Sequence, residues 1–232
     1  MATRLTPIAF DIETTGFESD ATVTVVGLVL PLGCRVFLNA NDRPVELKRL
    51  ERELEAEFET TVRLSSHQSE RALLEAFAAF VEESVSSRDY MLVAYNGELY
   101  RGGFDLPFLR TRYALQRLPW PFDDVPYADL LPIFSHRFNT TMADEQLNDL
   151  GGVYETLLGD GLTELDPFEE SGEAVEAFEQ GDFQSLLAHN VADILRTDAL
   201  AELAQRYCGK SEFSLKSLTP TSRDPALTSA NE

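Results

Sequence analysis

The sequence predicts an α/β fold: a mixed central β-sheet flanked by helices. Three observations predict it. The first stretch reads as a strand, a buried strand, a tight Pro31-Leu32-Gly33 turn and a strand returning antiparallel, which is an antiparallel ribbon. Beyond the ribbon, apolar stripes at helical spacing alternate with short apolar strands, the pattern of a sheet covered by helices. A length of 232 residues at 44% hydrophobic composition suffices for one core. A single domain is therefore expected over residues 1–210, followed by a partly loose tail over 211–232.

In chain order, residues 6–13 form the first strand. Side chains alternate along a strand, so Ile8, Phe10 and Ile12 take one face and Asp11 and Glu13 the other. Thr22 to Leu30 is the buried second strand and Cys34 to Leu38 the third. Pro44 to Phe58 reads as a helix with Pro44 in its first turn and Val45, Leu47, Leu50, Leu54 and Phe58 apolar. Thr60 to Leu64 is a short extended piece. Ser69 opens a helix with Leu73, Leu74, Phe77, Phe80 and Val81 as its buried stripe.

Met91 to Tyr95 is a strand ended by Asn96-Gly97. Glu98 to Gly103 then loops out, and a helix begins at Phe104-Asp105-Leu106-Pro107. Trp120 to Tyr127 is irregular. Asp129 is expected to cap a short helix through Phe134. Helices follow over 143–158 and 173–179, separated by a loop over 159–172. The last long helix runs over 182–208, with Leu186, Leu187, Val191, Ile194, Leu195, Ala199 and Leu203 apolar.

The chemistry lies in the acids. Two carboxylates side by side on one strand face repel each other and lose hydration wherever they are partly buried, unless a cation sits between them. Thr14, Thr15 and Gly16 turn the chain just beyond, leaving backbone N–H groups to meet an anion. Asp105 stands at a helix start, where the dipole favours the ionised form; in isolation it reads more readily as a plain N-cap. His189 and Asp193 are four residues apart on one helix and share a face. The helix after Asp105 carries Arg110, Arg112 and Arg117, placed either for phosphate recognition or for pairing with local acids. Four carboxylates and one proton-handling side chain match the needs of two-metal phosphodiester hydrolysis, with Mg²⁺ or Mn²⁺ ions about 3.5–4 Å apart.

The charge is unusual. A formal net charge of −21 and a pI near 4.4 accompany only three lysines against sixteen arginines. An acidic, lysine-poor surface suits work in multimolar salt, where self-repulsion is screened, so a halophilic cytosol is expected. No basic stretch followed by an apolar run marks a signal peptide, and the longest apolar run is too short to span a bilayer. Cys34 and Cys208 have no metal-binding spacing and are expected as free thiols.

Phe10-Asp11-Ile12-Glu13-Thr14-Thr15-Gly16, then Phe104-Asp105-Leu106-Pro107-Phe108-Leu109, then His189-Asn190-Val191-Ala192-Asp193-Ile194, in that order, resemble the three motifs of the DEDD 3′–5′ exonucleases. The resemblance spans roughly residues 6–200, and is nearest to the exonuclease domains associated with family-B DNA polymerases. It implies a ribonuclease H-like fold and a stand-alone, two-metal 3′–5′ exonuclease on single-stranded DNA or RNA. It assigns Asp11, Glu13 and Asp193 to the metal that activates water, with Asp11 bridging to a second metal supported by Asp105. His189 takes the place of the residue that orients the attacking water.

The resemblance also places Thr14, Thr15, Gly16 and Phe17 against the terminal nucleotide; Asn96, Phe104 and Arg110 are expected as further nucleic-acid contacts. Tyr100 and Arg101 are expected on a lip over the strand. The family divides at its third motif into a tyrosine with three residues before the aspartate, or a histidine with one residue more. Here a histidine stands at the tyrosine spacing. Two other readings remain: a catalytically inactive ribonuclease H-like module that binds nucleic acid or acts as a scaffold, and an endonuclease on a hybrid duplex.

Overall fold

The computed structural model describes residues 5–86, 88–98, 103–169 and 171–222. Strand β1 (Thr6–Thr14) pairs antiparallel with β2 (Val23–Leu30), which pairs antiparallel with β3 (Gly33–Asn39). Helix α1 (Leu47–Glu57) starts later than the sequence predicts, so Pro44 precedes the helix rather than occupying its first turn. Strand β4 (Val62–His67) then pairs parallel with β3. Helix α2 (Glu70–Ser84) is capped by Ser69, whose hydroxyl accepts from the Ala72 N–H.

Strand β5 (Tyr90–Ala94) lies parallel to β1 on its other side, and α3 (Asp105–Gln116) follows. Strand β6 (Pro126–Asp129) is parallel to β5 and occupies part of the stretch expected to be irregular. Helix α4 (Leu131–Arg137) leads into two short strands, β7 (Thr141–Met142) and β8 (Glu145–Gln146). They form a hairpin where the sequence predicts the start of a helix. Ala143 and Asp144 both adopt positive φ, 49° and 67°, which suits a two-residue hairpin turn. Only α5 (Leu150–Leu158), capped by Asp149, is helical in that span.

Helix α6 (Ser171–Gln180) and the long α7 (Phe183–Tyr207), capped by Asp182, complete the helices. A 3₁₀ turn over Lys210–Phe213 and strand β9 (Lys216–Ser217) pack onto the body: Phe213 and Leu218 are buried, and β9 pairs with β6. The sheet therefore extends into the segment expected as a partly loose tail.

The result is a seven-stranded mixed sheet in the order β4-β3-β2-β1-β5-β6-β9, with helices on both faces. Ile8, Phe10, Leu28 and Phe37 face α2 and α3 in one apolar layer. Ala9, Val25, Val36 and Val93 face α7, α1 and α5 in the other. Helix α7 lies across β1 and β2, on the side to which Asp11 and Glu13 point. Among the described residues no helix is long and apolar enough to cross a membrane.

Candidate metal centre

Three elements build the site. Strand β5 pairs with β1 only from Thr6 to Ala9, so Asp11 and Glu13 run on beyond its partner strand. Crevices at the carboxyl ends of parallel strands are where α/β sheets bind ligands. Glu13 and Thr14 straddle a register irregularity in the β1–β2 ladder, after which Thr14 still pairs with Val23. Helix α3 begins at Asp105, and α7 contributes His189 and Asp193 from above.

The ligand atoms of Glu13, His189 and Asp193 all lie within 4.8 Å of one another and form a group that could hold a metal ion. His189 Nε2 is 3.9 Å from Glu13 Oε1 and 3.8 Å from Asp193 Oδ2. Asp11, Glu13, Thr14, Gly16, Phe17, Phe104, Val175, His189 and Asp193 line a cleft of about 190 Å³. Asp105 stands just outside this lining, buried, yet near enough to act on the other acids electrostatically.

Burial raises the Asp11 carboxyl well above the usual range, and the charges of Glu13, Asp105 and Asp193 add to it. Asp105 is raised in the same way by burial and by Glu13, Asp129 and Asp193. Burial pushes Glu13 up to about 7, with Asp193 adding and His189 opposing. Asp193 is raised by burial against the pull of His189 and Arg196. His189 moves the other way from a buried imidazole: its hydrogen bond with Asp166 and the charges of Glu13 and Asp193 outweigh desolvation and lift it to about 9. The donor set is oxygen-rich with one imidazole, which fits Mg²⁺ or Mn²⁺.

The other predicted residues divide. Phe17 is 77% exposed and meets Phe104 edge-on, with ring centroids 5.2 Å apart, at the cleft rim. Thr14 Oγ1 donates to Gly16 O, and Thr15 Oγ1 accepts from the Thr22 N–H, so both threonines shape the turn and only Thr14 lines the cleft. Asn96 holds φ 60° and donates its N–H to Asp129, away from the cleft lining. Arg110 pairs with Glu98 at 2.7 Å and lies over the Trp120 ring. Arg112 is buried in a bidentate pair with Glu70 and donates to Ser19 O, so it fastens the turn after β1 rather than presenting charge to solvent. Tyr100 and Arg101 lie outside the described residues.

Sequence reasoning missed four participants. Asn190 is fully buried and donates from Nδ2 to Asp11 Oδ2 at 2.9 Å and to Glu13 Oε1 at 3.5 Å. Its place on the apolar stripe of α7, between Leu187 and Ile194, was a signal, because a buried amide demands partners. Asp166 accepts from His189 and Arg196, and Arg196 also binds Asp193. Nothing in the loop sequence distinguishes Asp166 from its acidic neighbours. Asp129, expected to cap α4, instead ends β6, and Leu130 takes the cap position; the Asp129 carboxylate accepts from the N–H groups of Leu131, Asn96 and Glu98. It thereby ties Asn96 and Glu98 to the end of β6. No protein-family model and no curated protein matches the chain.

Proposed function

We propose that the protein is a metal-dependent 3′–5′ exonuclease of the DEDD type on a ribonuclease H-like fold, hydrolysing single-stranded DNA or RNA. One observation carries this reading. Acids from β1, α3 and α7 converge with little exposure, and lost hydration holds each above the usual carboxylate range, with repulsion from neighbouring acids adding to this at Asp11, Glu13 and Asp105. A fold that bears this cost without a cation is hard to rationalise. The mixed sheet with its antiparallel ribbon supports the fold assignment.

In this reading Asp11, Glu13, Asp105 and Asp193 hold two divalent ions, Mg²⁺ or Mn²⁺. Bound there, such ions supply an ionisable water and charge stabilisation for the leaving 3′ oxygen. His189 presents Nε2 between Glu13 and Asp193, where it can orient the water or take its proton. Asn190 keeps Asp11 and Glu13 on one side of the cleft. Phe17 and Phe104 give the terminal base an aromatic surface, and the turn at Thr14–Gly16 lines the sugar-phosphate side. Arg110 and Arg112 are already paired with acids, so binding rests on stacking and metal more than on arginine. The acidic, lysine-poor composition supports a high-salt cytosol as the working medium, where long-range repulsion of the substrate is screened.

The test compares linear and circular single-stranded DNA in high KCl with Mn²⁺. An end-dependent enzyme degrades the linear strand, spares the circle and stops in EDTA. Cleavage of both at equal rates, or cleavage in EDTA, contradicts the proposal.

A further inference from the structure

Helix α7 by itself leaves His189 poorly directed. An imidazole has two nitrogens and a broad ring torsion, and Asp193 one turn away is a ready partner for either. A third segment of the chain, the loop between α5 and α6, prevents this. Asp166 Oδ1 lies 2.7 Å from His189 Nδ1, and Asp166 Oδ2 accepts from Arg196 Nη1 at 2.7 Å. The same Arg196 nitrogen reaches Asp193 Oδ1 at 2.6 Å. The carboxylate is itself oriented by the Phe168 N–H at 3.1 Å, and only 6% of its side chain is exposed. Arg196 Nη2 donates to Leu162 O, and the Phe168 ring lies 5.2 Å from the His189 ring. The loop is thus built onto the two helix residues from several directions.

We infer that Asp166 is a positioning residue of this site, fixing His189 and Asp193 together from outside their helix. With Nδ1 engaged, the ring has one orientation, and Nε2 is left facing Glu13 and Asp193. The second carboxylate oxygen shares Arg196. Without it, Arg196 would pair with Asp193 alone and compete with any cation for that carboxylate. One side chain therefore sets both the aim of the histidine and the availability of the aspartate. Residues that orient ligands in this manner commonly cost about 10- to 100-fold in metal affinity or rate when removed. The inference rests on the site reading above.

The test uses the full chain with Asp166→Ala and Asp166→Asn. Four quantities are read: the low-field Nδ1–H proton resonance of His189, calorimetric affinity for Mn²⁺ alone, kcat and KM on a single-stranded oligonucleotide, and thermal stability. With three histidines in the chain, His189→Gln assigns the resonance. Asp166→Ala is expected to lose the resonance, to weaken Mn²⁺ binding or kcat by about 10- to 100-fold, and to leave KM within about twofold. Asp166→Asn, whose amide oxygen still accepts from Nδ1, should keep a shifted resonance and recover part of kcat. A persistent resonance with unchanged kcat and Mn²⁺ affinity in Asp166→Ala overturns the inference. So does a loss explained wholly by a smaller folded fraction, with Asn no better than Ala. If Asp166→Ala does not fold, Asp166→Asn decides: a shifted resonance with lower kcat or Mn²⁺ affinity supports positioning, and wild-type values overturn it. A wild type without nuclease activity refutes the exonuclease reading, while the resonance still decides the role of Asp166.

Discussion

Asp11 is where the demands of function and stability oppose each other most directly. Burial, Glu13, Asp105 and Asp193 all disfavour its charge. Asp11→Asn removes that repulsion and keeps an acceptor for Asn190, so in EDTA it should stabilise the fold by about 1 kcal/mol while abolishing Mn²⁺-dependent hydrolysis. Chemical denaturation beside an activity assay checks both halves. The same residues set a pH dependence. Glu13 is raised from 4.5 to about 7, so the folded state holds its proton more tightly than the unfolded chain does. Stability of the metal-free protein must then fall as pH rises through that interval. His189, raised from 6.5 to about 9, stabilises below pH 6.5 and loses that contribution towards pH 9. Melting temperature in EDTA should therefore decline from about pH 5 to 9, and Glu13→Gln should flatten the lower part. Mn²⁺ should raise the melting temperature most at the alkaline end.

The alternation of Ile8, Phe10 and Ile12 with Asp11 and Glu13 made the acidic face legible from sequence, as did the helical spacing of His189 and Asp193. Asp166 was not legible, because a loop acid acquires its role only from the packing that brings His189 and Arg196 to it.

Elements place these residues through two close fits. Gly27 of β2 stands opposite Asp11 in the ladder, and a Cβ there would come within 2.1 Å of Asn190 Oδ1. Only glycine lets α7 lie close enough for Asn190 to reach Asp11 and Glu13. Gly27→Ala should cost about 1–3 kcal/mol in urea denaturation and weaken Mn²⁺ binding with it. On the other face, Glu70 accepts from Arg112, Gln116 and the Val23 N–H, tying α2, α3 and β2 together. Removing one partner leaves a buried charge, so Arg112→Ala should destabilise by about 3–5 kcal/mol, measured by the same denaturation. The arginines of α3 illustrate a limit of reading sequence: a cationic run beside a predicted site is ambiguous until its pairing partners are located. The β7–β8 hairpin was hidden for a related reason. Its turn uses Ala143 and Asp144 at positive φ, without the Asn-Gly or Asp-Gly pair that announces such turns.

At the scale of the whole molecule, the ribbon β1–β3 and helices α2 and α7 were legible because their apolar patterns are long, and α3 because its start carries Asp105 and Pro107. The four-residue β6 and two-residue β9 were not, since pairing with a neighbour defines them rather than any pattern of their own. The charge belongs to this scale too. With 40 acidic against 19 basic residues, folding concentrates repulsion that salt relieves. Thermal stability should rise steeply between dilute buffer and molar KCl; a flat dependence would contradict the high-salt assignment.

The most direct test of the central claim is a time course on 5′-labelled single-stranded DNA and RNA oligomers in high KCl with Mn²⁺, wild type beside Asp11→Ala. The account predicts a ladder shortening from the 3′ end with wild type alone, its rate on each substrate showing the preferred sugar. Intact oligomers of both kinds, from a wild type that still binds Mn²⁺, would contradict it.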